Sequence, residues 1–156
     1  MARPRVLIAD DHSSVLERAF ELLSSEYDVV AAVSDGLSAV DAAAMLQPDV
    51  VVLDISMPIL HGLEAAARII KSGCKARIVF LTVHEDSDFV DAARTAGAHG
   101  YVLKRAIASN LLPTIRAVLG GCCAFPDVWR MPAHQASARR LLVRMRLCTT
   151  AKFRSS

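Results

Sequence analysis

Short apolar runs alternate along the chain with longer segments in which apolar residues recur at helical spacing. The runs are rich in β-branched residues, and one of them, Val50–Leu53, is apolar throughout, as expected for a strand covered on both faces. This alternation is typical of a parallel sheet whose strands are joined by helices, so we predict an α/β fold. The predicted strands are Val6–Ala9, Val29–Val33, Val50–Leu53, Ile78–Leu81 and Tyr101–Leu103.

The segments between these strands carry signals for helix starts and ends. Ser13 or Ser14 would cap the first helix, and Gly97 would end the fourth. With Asn110 as the N-cap of the fifth helix, Pro113 falls in its first turn, where proline is tolerated. Five βα units result. The predicted helices run from residue 13 or 14 to about Leu23, and over Leu37–Leu46, Leu63–Ile70, Asp86–Ala96 and Asn110–Leu119.

Composition sets limits on the class of protein. A chain of 156 residues with 53% hydrophobic residues has room for one domain with a substantial core and an appendage. No apolar run approaches the roughly 20 residues of a membrane span, and the amino terminus does not match a signal peptide. The four cysteines lack a zinc-ligand spacing. We therefore expect a cytoplasmic protein with no membrane association.

Charge divides the chain into two unlike parts. Residues 1–125 carry 11 Lys/Arg and 15 Asp/Glu, whereas residues 126–156 carry 7 Lys/Arg and a single Asp. Prolines at 126 and 132 interrupt the βα rhythm, and residues 133–147 are compatible with a basic amphipathic helix or with an irregular extension. We expect one domain over residues 1–121 and a basic tail over residues 122–156.

Acidic residues follow two of the predicted strands. Asp10 and Asp11 come directly after the first strand, and Asp54 follows the third. If those strands are parallel neighbours, the three carboxylates meet at the carboxyl edge of the sheet, where open α/β folds bind ligands. Like charges this close repel, so the cluster must hold a proton or a cation. Hard oxygen ligands favour Mg²⁺, which leaves coordination positions for phosphate oxygens.

Polar residues also close the last two strands, where Thr82 follows Leu81 and Lys104 follows Leu103. The complete set strongly resembles the receiver domain of two-component response regulators. The resemblance covers residues 4 to about 121, and the wording around the acidic residues is similar to regulators that carry a LuxR-type helix-turn-helix output domain. The matching stretches are 7–12 (LIADDH), 54–58 (DISMP) with Gly62, Leu81-Thr82 and 100–104 (GYVLK).

The resemblance implies a flavodoxin-like, doubly wound (βα)5 fold with a five-stranded parallel sheet and helices on both faces. It implies that Asp54 accepts a phosphoryl group from a sensor histidine kinase. Such a protein is a signalling phosphoacceptor and catalyses only its own phosphorylation and dephosphorylation. Conformational switching would then control partner binding or dimerisation through the fourth helix, fifth strand and fifth helix, in bacterial transcriptional regulation.

The remaining roles are also implied by the resemblance. Mg²⁺ would be held by Asp10, Asp11, Asp54 and the backbone carbonyl of Ser56. The phosphate-binding and switch residues would be Thr82, Lys104 and Tyr101, whose ring turns inward when Thr82 moves. Ser56 and His84 would modulate the lifetime of the acyl phosphate. We expect His12, one residue beyond the acid pair, to face solvent rather than bind metal.

The chain departs from the family in two places. Arg105 follows Lys104 where many receivers have proline, which leaves the isomer of that peptide bond open. The 35 residues after Gly121 cannot supply an output domain of roughly 60 residues, so we interpret the tail as a linker remnant left by truncation or a frameshift. DNA binding would require an output domain supplied elsewhere.

Two alternatives remain open. The first is nucleic-acid binding through the basic tail, independent of phosphorylation, since seven Lys/Arg attract polyanions at low salt. The second is an aspartate-nucleophile phosphohydrolase. Such enzymes usually place two aspartates two positions apart on the first strand, whereas Asp10 and Asp11 are adjacent here.

Overall fold

The computed structural model describes residues 3–125. They contain a five-stranded, fully parallel sheet in the order β2-β1-β3-β4-β5. The chain starts in the strand next to one edge of the sheet, moves to that edge, crosses back over its first strand and proceeds to the other edge. This confirms the flavodoxin-like doubly wound fold. The strands are β1 (Arg5–Ala9), β2 (Asp28–Val33), β3 (Val50–Leu53), β4 (Arg77–Thr82) and β5 (Gly100–Leu103).

Helices connect the strands and cover both faces of the sheet. One face is covered by the first and last helices, and the other face by the three helices between them. A short 3₁₀ turn, Lys104–Ala106, joins β5 directly to the last helix. The helices are α1 (Ser13–Ser24), α2 (Gly36–Leu46), α3 (Gly62–Lys71), α4 (Ser87–Thr95) and α5 (Ile107–Leu119).

Alternation within the strands divides the core into two layers. Leu7, Val51 and Phe80 face α2, α3 and α4, whereas their neighbours Ile8 and Val52 face α1 and α5. Every residue of β3 is buried, as the apolar run predicted. The sheet interior is therefore dry on both sides, and polar chemistry is confined to the ends of the strands.

One predicted helix start and one predicted helix cap are wrong. The fifth helix begins at Ile107, not at Asn110, because the 3₁₀ turn leads straight into it. Pro113 therefore lies inside the helix, where it removes one backbone hydrogen bond, and not in the first turn. The first helix begins at Ser13 with His12 at the N-cap position, and no side chain caps it.

Within residues 3–125, no helix is both long and apolar enough to cross a bilayer. The longest described helix, α5, has 13 residues, against the roughly 20 that a span requires. The predicted helix at 133–147 and most of the predicted basic tail lie outside the described residues.

Candidate functional site

The acidic residues lie at the carboxyl ends of β1 and β3. Between these two strands the order in which the chain adds strands to the sheet reverses, which makes this the topological switch point of the fold. The two strands are hydrogen-bonded parallel neighbours, in the register Ala9 beside Leu53. The Asp54 N–H donates to the Ala9 carbonyl at 2.9 Å, so the backbone holds Asp54 beside the start of the Asp10–Asp11 pair. Asp10 is fully buried and Asp54 is 2% exposed. Crevices outside the carboxyl ends of strands at such a switch point are where ligands bind in this fold class.

Lys104 lies between the two buried carboxylates. Its Nζ is 2.8 Å from Asp10 Oδ2 and donates a hydrogen bond of 3.0 Å to Asp54 Oδ2. The lysine side chain is 10% exposed, and the 3₁₀ turn after β5 brings it over the site. The Lys104–Arg105 peptide is trans, which settles the isomer that the sequence left open. The lysine is thus an internal counter-ion for two acids.

Electrostatics at the site reflect burial as much as pairing. Burial raises the pKa of the Asp54 carboxyl; the charge of Asp10 adds to this, and Lys104 and the Ser56 N–H oppose it. Burial lowers the pKa of Lys104, but its interactions with Asp10 and Asp54 outweigh that effect, so its pKa is above the usual value. The ammonium form therefore persists at neutral pH, and it compensates only part of the acidic charge.

The donor set fits a divalent cation. One ligand atom from each of Asp10, Asp11, His12 and Asp54 lies within 4.8 Å of the others. Asp10 Oδ2 is buried and has no hydrogen-bond donor, because Lys104 Nζ approaches it at ion-pair distance but outside hydrogen-bond geometry. Three carboxylates against one ammonium leave a formal charge of −2, which one Mg²⁺ would balance. The acidic pocket is therefore compatible with Mg²⁺.

His12 is closer to this cluster than the sequence predicted. Its side chain is 61% exposed, as expected, but Nδ1 lies 3.2 Å from Asp10 Oδ1 and 3.1 Å from Asp11 Oδ1. The His12 N–H also donates to Asp10 Oδ1 at 2.8 Å. The extended N-cap conformation turns the ring back over the acids, and the only sequence signal for this was its adjacency to them. Exposure and contact with the site thus coexist.

A second group of predicted site residues is connected by hydrogen bonds: Thr82, Tyr101, Ser56 and His84. Thr82 ends β4 fully buried, and its Oγ1 accepts a bond of 3.3 Å from the His84 N–H. The Tyr101 hydroxyl donates to the His84 carbonyl at 2.8 Å, and Ser56 Oγ lies 2.8 Å from His84 Nε2. Phe89 stacks on the His84 ring at 3.9 Å. Three of the predicted residues therefore converge on the fourth, His84, through its backbone and its ring.

The Tyr101 ring lies inward in this structure. It is 1% exposed, and burial, with a smaller contribution from the charge of Asp86, raises the pKa of its hydroxyl. The sequence-based interpretation associated this position with the switched form. The described state therefore has the aromatic ring already packed, and the movement itself stays a prediction.

The β3–α3 loop is packed tightly behind Asp54. A Cβ at Gly62 would lie 1.9 Å from the Asp54 carbonyl oxygen, so only glycine allows α3 to start this close to the site. The Gly62 N–H donates to the Ile55 carbonyl at 2.7 Å. Ile59 has a φ of 69°, a left-handed conformation that β-branched residues rarely adopt, and its side chain is 77% exposed. The loop therefore packs against the backbone of Asp54 and exposes the apolar side chain of Ile59.

Comparison with known proteins identifies this arrangement. Residues 6–116 match the response regulator receiver domain. The chain belongs to the response regulator receiver family. The receiver is 34% identical over 149 residues to the transcriptional regulatory protein PdtaR of Mycobacterium tuberculosis, covering 95% of this chain and 71% of PdtaR. It is 38% identical over 125 residues to the nitrate/nitrite response regulator NarP of Escherichia coli, covering 79% of this chain and 58% of NarP.

Solved structures agree with this assignment. A LuxR-family two-component response regulator from Aurantimonas sp. SI85-9A1 superposes with a TM-score of 0.80 at 34% identity, covering 87% of this chain and 99% of that one. The family, the fold and the LuxR-type resemblance predicted from the sequence are thus confirmed. The chain is a receiver of bacterial two-component response regulators, in a family of transcriptional regulators. The chain spans 58% of the length of NarP.

Proposed function

We propose that Asp54 is the phosphoacceptor of this receiver and that a sensor histidine kinase is its phosphodonor. An Oδ atom of Asp54 attacks the phosphorus of the kinase phosphohistidine. The P–N bond breaks, its electron pair returns to the imidazole, and an aspartyl phosphate forms. The observation that carries this proposal is the position of Asp54 at the switch point, buried with Asp10 and bridged to it by one lysine.

The other site residues position and neutralise the phosphoryl group. Asp10, Asp11, Asp54 and the Ser56 carbonyl would hold Mg²⁺, whose bound charge would offset the negative charge of the transferred group. Lys104 already contacts Asp54, and its ammonium would pair with a phosphoryl oxygen after transfer. The Thr82 hydroxyl would donate to a second oxygen. The chain thereby catalyses its own phosphorylation and dephosphorylation and acts on no other substrate.

The second group of residues would convert this chemistry into a conformational change. Movement of Thr82 toward the phosphoryl group would alter its contact with the His84 N–H, and so the backbone that the Tyr101 hydroxyl binds. Ser56 and His84, hydrogen-bonded to each other beside the site, would control water access and the lifetime of the aspartyl phosphate. The resulting change in the receiver surface would control partner binding or dimerisation in transcriptional regulation.

The partner and location assignments belong to the same proposal. A homodimer through α4, β5 and α5 would follow the family pattern, and DNA binding would need an output domain beyond residues 1–121. We propose a cytoplasmic location on the basis of family membership, because the donor kinase domain and the transcriptional target are there. The division into a receiver over 1–121 and a basic tail over 122–156 is likewise a proposal.

Intact-mass spectrometry with a small acyl-phosphate donor tests the phosphoacceptor. We expect a gain of one phosphoryl group that requires Mg²⁺ and is lost in Asp54→Asn. Asp49→Asn, an exposed aspartate at the opposite end of the sheet, is the matched control and should label like the wild type. Undiminished labelling of Asp54→Asn would overturn the assignment.

Nucleic-acid binding by the tail is a second candidate function, favoured by the seven Lys/Arg in residues 126–156. Electrostatic binding of this kind weakens steeply with salt. If it acts independently of phosphorylation, the affinity for DNA and its salt dependence should survive Asp54→Asn. Loss of binding in that variant would tie any nucleic-acid contact to the receiver switch.

A further inference from the structure

The segment that follows α5, residues 122–125, lies along the outer edge of the sheet. β5 is the last strand in the sheet order, so its outer backbone edge faces no other named strand of the described chain. Ala124 fills part of this edge: its N–H donates to the His99 carbonyl at 2.8 Å, and its carbonyl accepts from the Tyr101 N–H at 3.0 Å. Gly100 and Ala124 form a parallel bridge. We call residues 122–125 the docking segment.

Side chains reinforce this backbone pairing. The ring of Phe125 stacks on Tyr101 with 6.5 Å between centroids and an interplanar angle of 27°. The guanidinium carbon of Arg94, on α4, lies 4.5 Å from the centre of the Phe125 ring, within cation–π range. Phe125 also packs against the core layer that contains Tyr101. The docking segment is thus held by a strand backbone, a buried aromatic ring and a helix cation.

Its aromatic contact is one step from the switch residues. The Tyr101 ring that Phe125 stacks on carries the hydroxyl that donates to the His84 carbonyl. The His84 N–H in turn donates to Thr82 Oγ1, at the carboxyl end of β4. A continuous series of contacts therefore links the docking segment to the strand end beside Asp54. Such a series indicates coupling only if both ends bias one two-state element, and the inward ring of Tyr101 is the candidate element.

We propose that the outer edge of β5, with Tyr101 and Arg94, is a docking surface for the chain's own residues 122–125, and that docking is coupled to phosphorylation of Asp54. The coupling rests on the function proposed above. The inward Tyr101 ring forms the surface on which Phe125 packs, so phosphorylation that favours the inward ring tightens docking. Phosphorylation of Asp54 would thereby affect the chain beyond residue 125 through the docking of residues 122–125.

Thermodynamic linkage makes this proposal reciprocal. If a ligand at Asp54 strengthens docking by a given factor, docking must strengthen binding of that ligand by the same factor. Beryllofluoride, a reversible mimic of the phosphoryl group, allows both directions to be measured at equilibrium. The amides of Ala124 and Tyr101 report docking directly, because each donates one of the two edge hydrogen bonds.

The experiment uses the full 156-residue chain and residue-resolved amide hydrogen exchange by NMR, with Mg²⁺ present and with or without beryllofluoride. In the wild type we expect the Ala124 and Tyr101 amides to exchange at least about fivefold more slowly when the mimic is bound. Phe125→Ala should remove that slowing and weaken beryllofluoride binding by a similar factor. Phe20→Ala, a 48% exposed phenylalanine on α1, is the control and should leave both measurements unchanged.

Further variants separate the possible outcomes. Phe125→Leu keeps an apolar side chain but removes the aromatic contact, and Arg94→Gln removes the cation; each should give a partial loss of the slowing. Unchanged exchange in a wild type whose mass shows phosphorylation at Asp54 would overturn the coupling and leave the proposed function standing. Absence of any phosphorylation would overturn both. Protection of the Tyr101 amide that grows with protein concentration would assign the edge to a second copy of the chain, against the proposal.

Discussion

Three charged side chains are exposed at the amino ends of the strands, whereas two are buried at the carboxyl ends. At the amino ends, Asp28, Asp49 and Arg77 are exposed, and Asp49 Oδ2 accepts a 2.8 Å bond from the Arg5 N–H. At the carboxyl ends, Asp10 and Asp54 are buried together with a single ammonium between them. Burial of like charges opposes folding. The amino end thus adds to stability, whereas the carboxyl end carries an electrostatic cost that a bound cation or a proton would relieve.

The largest expected effect comes from removing the cation of the carboxyl end. Lys104→Met should reduce the rate of phosphorylation at Asp54 by about 100-fold, since one positioned charge is lost from the transferring group. It should also lower the free energy of unfolding by about 3 kcal/mol, because two buried carboxylates lose their partner. Timed intact-mass labelling and urea unfolding measure the two effects. Lys75→Met, at an exposed position, is the control, and a Lys104 variant that labels at the wild-type rate would contradict the proposed role.

A smaller, opposite effect on stability is expected from relieving the repulsion. Asp11→Asn should weaken Mg²⁺ binding by about tenfold or more, while raising the free energy of unfolding in metal-free buffer by about 1 kcal/mol. Calorimetric Mg²⁺ titration and urea unfolding with a chelator provide the two values. The same substitution at exposed Asp28, at the amino end, should do neither. A stability equal to that of the wild type would mean that the acids do not repel as their spacing implies.

At the amino end, removing a carboxylate should lower the free energy of unfolding, the opposite of the effect expected for Asp11→Asn. Asp49→Ala removes the acceptor of the Arg5 N–H and should cost about 1 kcal/mol of unfolding free energy. Phosphorylation of Asp54 should be unaffected, because the site lies at the other end of the strands. Thermal unfolding and intact-mass labelling on the same preparation test both statements. A labelling defect in a folded Asp49→Ala protein would break the division between the two ends.

The smallest expected effect is on the pH dependence of folding stability. As the pH falls, a residue at the amino end should lower stability, whereas one at the carboxyl end should raise it. Burial, helped by the charge of Arg77, lowers the pKa of His99, whose Nδ1 accepts the Ile78 N–H at 3.1 Å. Its stabilising contribution is therefore complete above the unfolded pKa of about 6.5 and is lost as the pH falls below it. The pKa of Asp54 is raised, so in metal-free buffer its protonation favours the folded state as the pH falls through that raised value toward 3.8.

Unfolding measured across this range separates the two contributions. His99→Gln should flatten the loss of stability as the pH falls below about 6.5, whereas the exposed His61→Gln should leave that loss in place. Asp54→Asn should remove only the gain at lower pH. Identical pH profiles for His99→Gln and the wild type would show that the histidine at the amino end is not responsible.

The strands and the acidic site were predictable because their signals are local. Val50–Leu53 is apolar throughout and forms β3 with identical bounds, and polar residues directly after strands must lie at the carboxyl edge of a parallel sheet. Their convergence depended only on strand adjacency, which the sheet confirms. The contact between Lys104 and Asp10 was not predictable in the same way. Asp10 follows β1 and Lys104 follows β5, and these two strands are separated in the sheet by β3 and β4. The geometry of the contact depends on the turn after β5.

The errors arise where tertiary geometry replaces a local signal. Asn110 is a good N-cap by propensity, but the 3₁₀ turn from β5 had already started the helix at Ile107. His12 is exposed to solvent as expected, but its ring also contacts the two acids, which its position beyond the strand did not indicate. The pairing of Ala124 with the β5 edge had no sequence signal, because a single bridge needs no pattern of hydrophobic residues.

Ile59 has a consequence for the order in which the site opens. A β-branched residue held at a φ of 69° costs about 1–2 kcal/mol, which the flanking backbone bonds of Leu60 and Gly62 must offset. Local opening of the β3–α3 loop would release this strain, so we expect the strain to lower the loop's free energy of opening by about the same amount. On the timescale of native-state fluctuations, solvent should first reach the acid from this side, while the strands on either side of it remain closed.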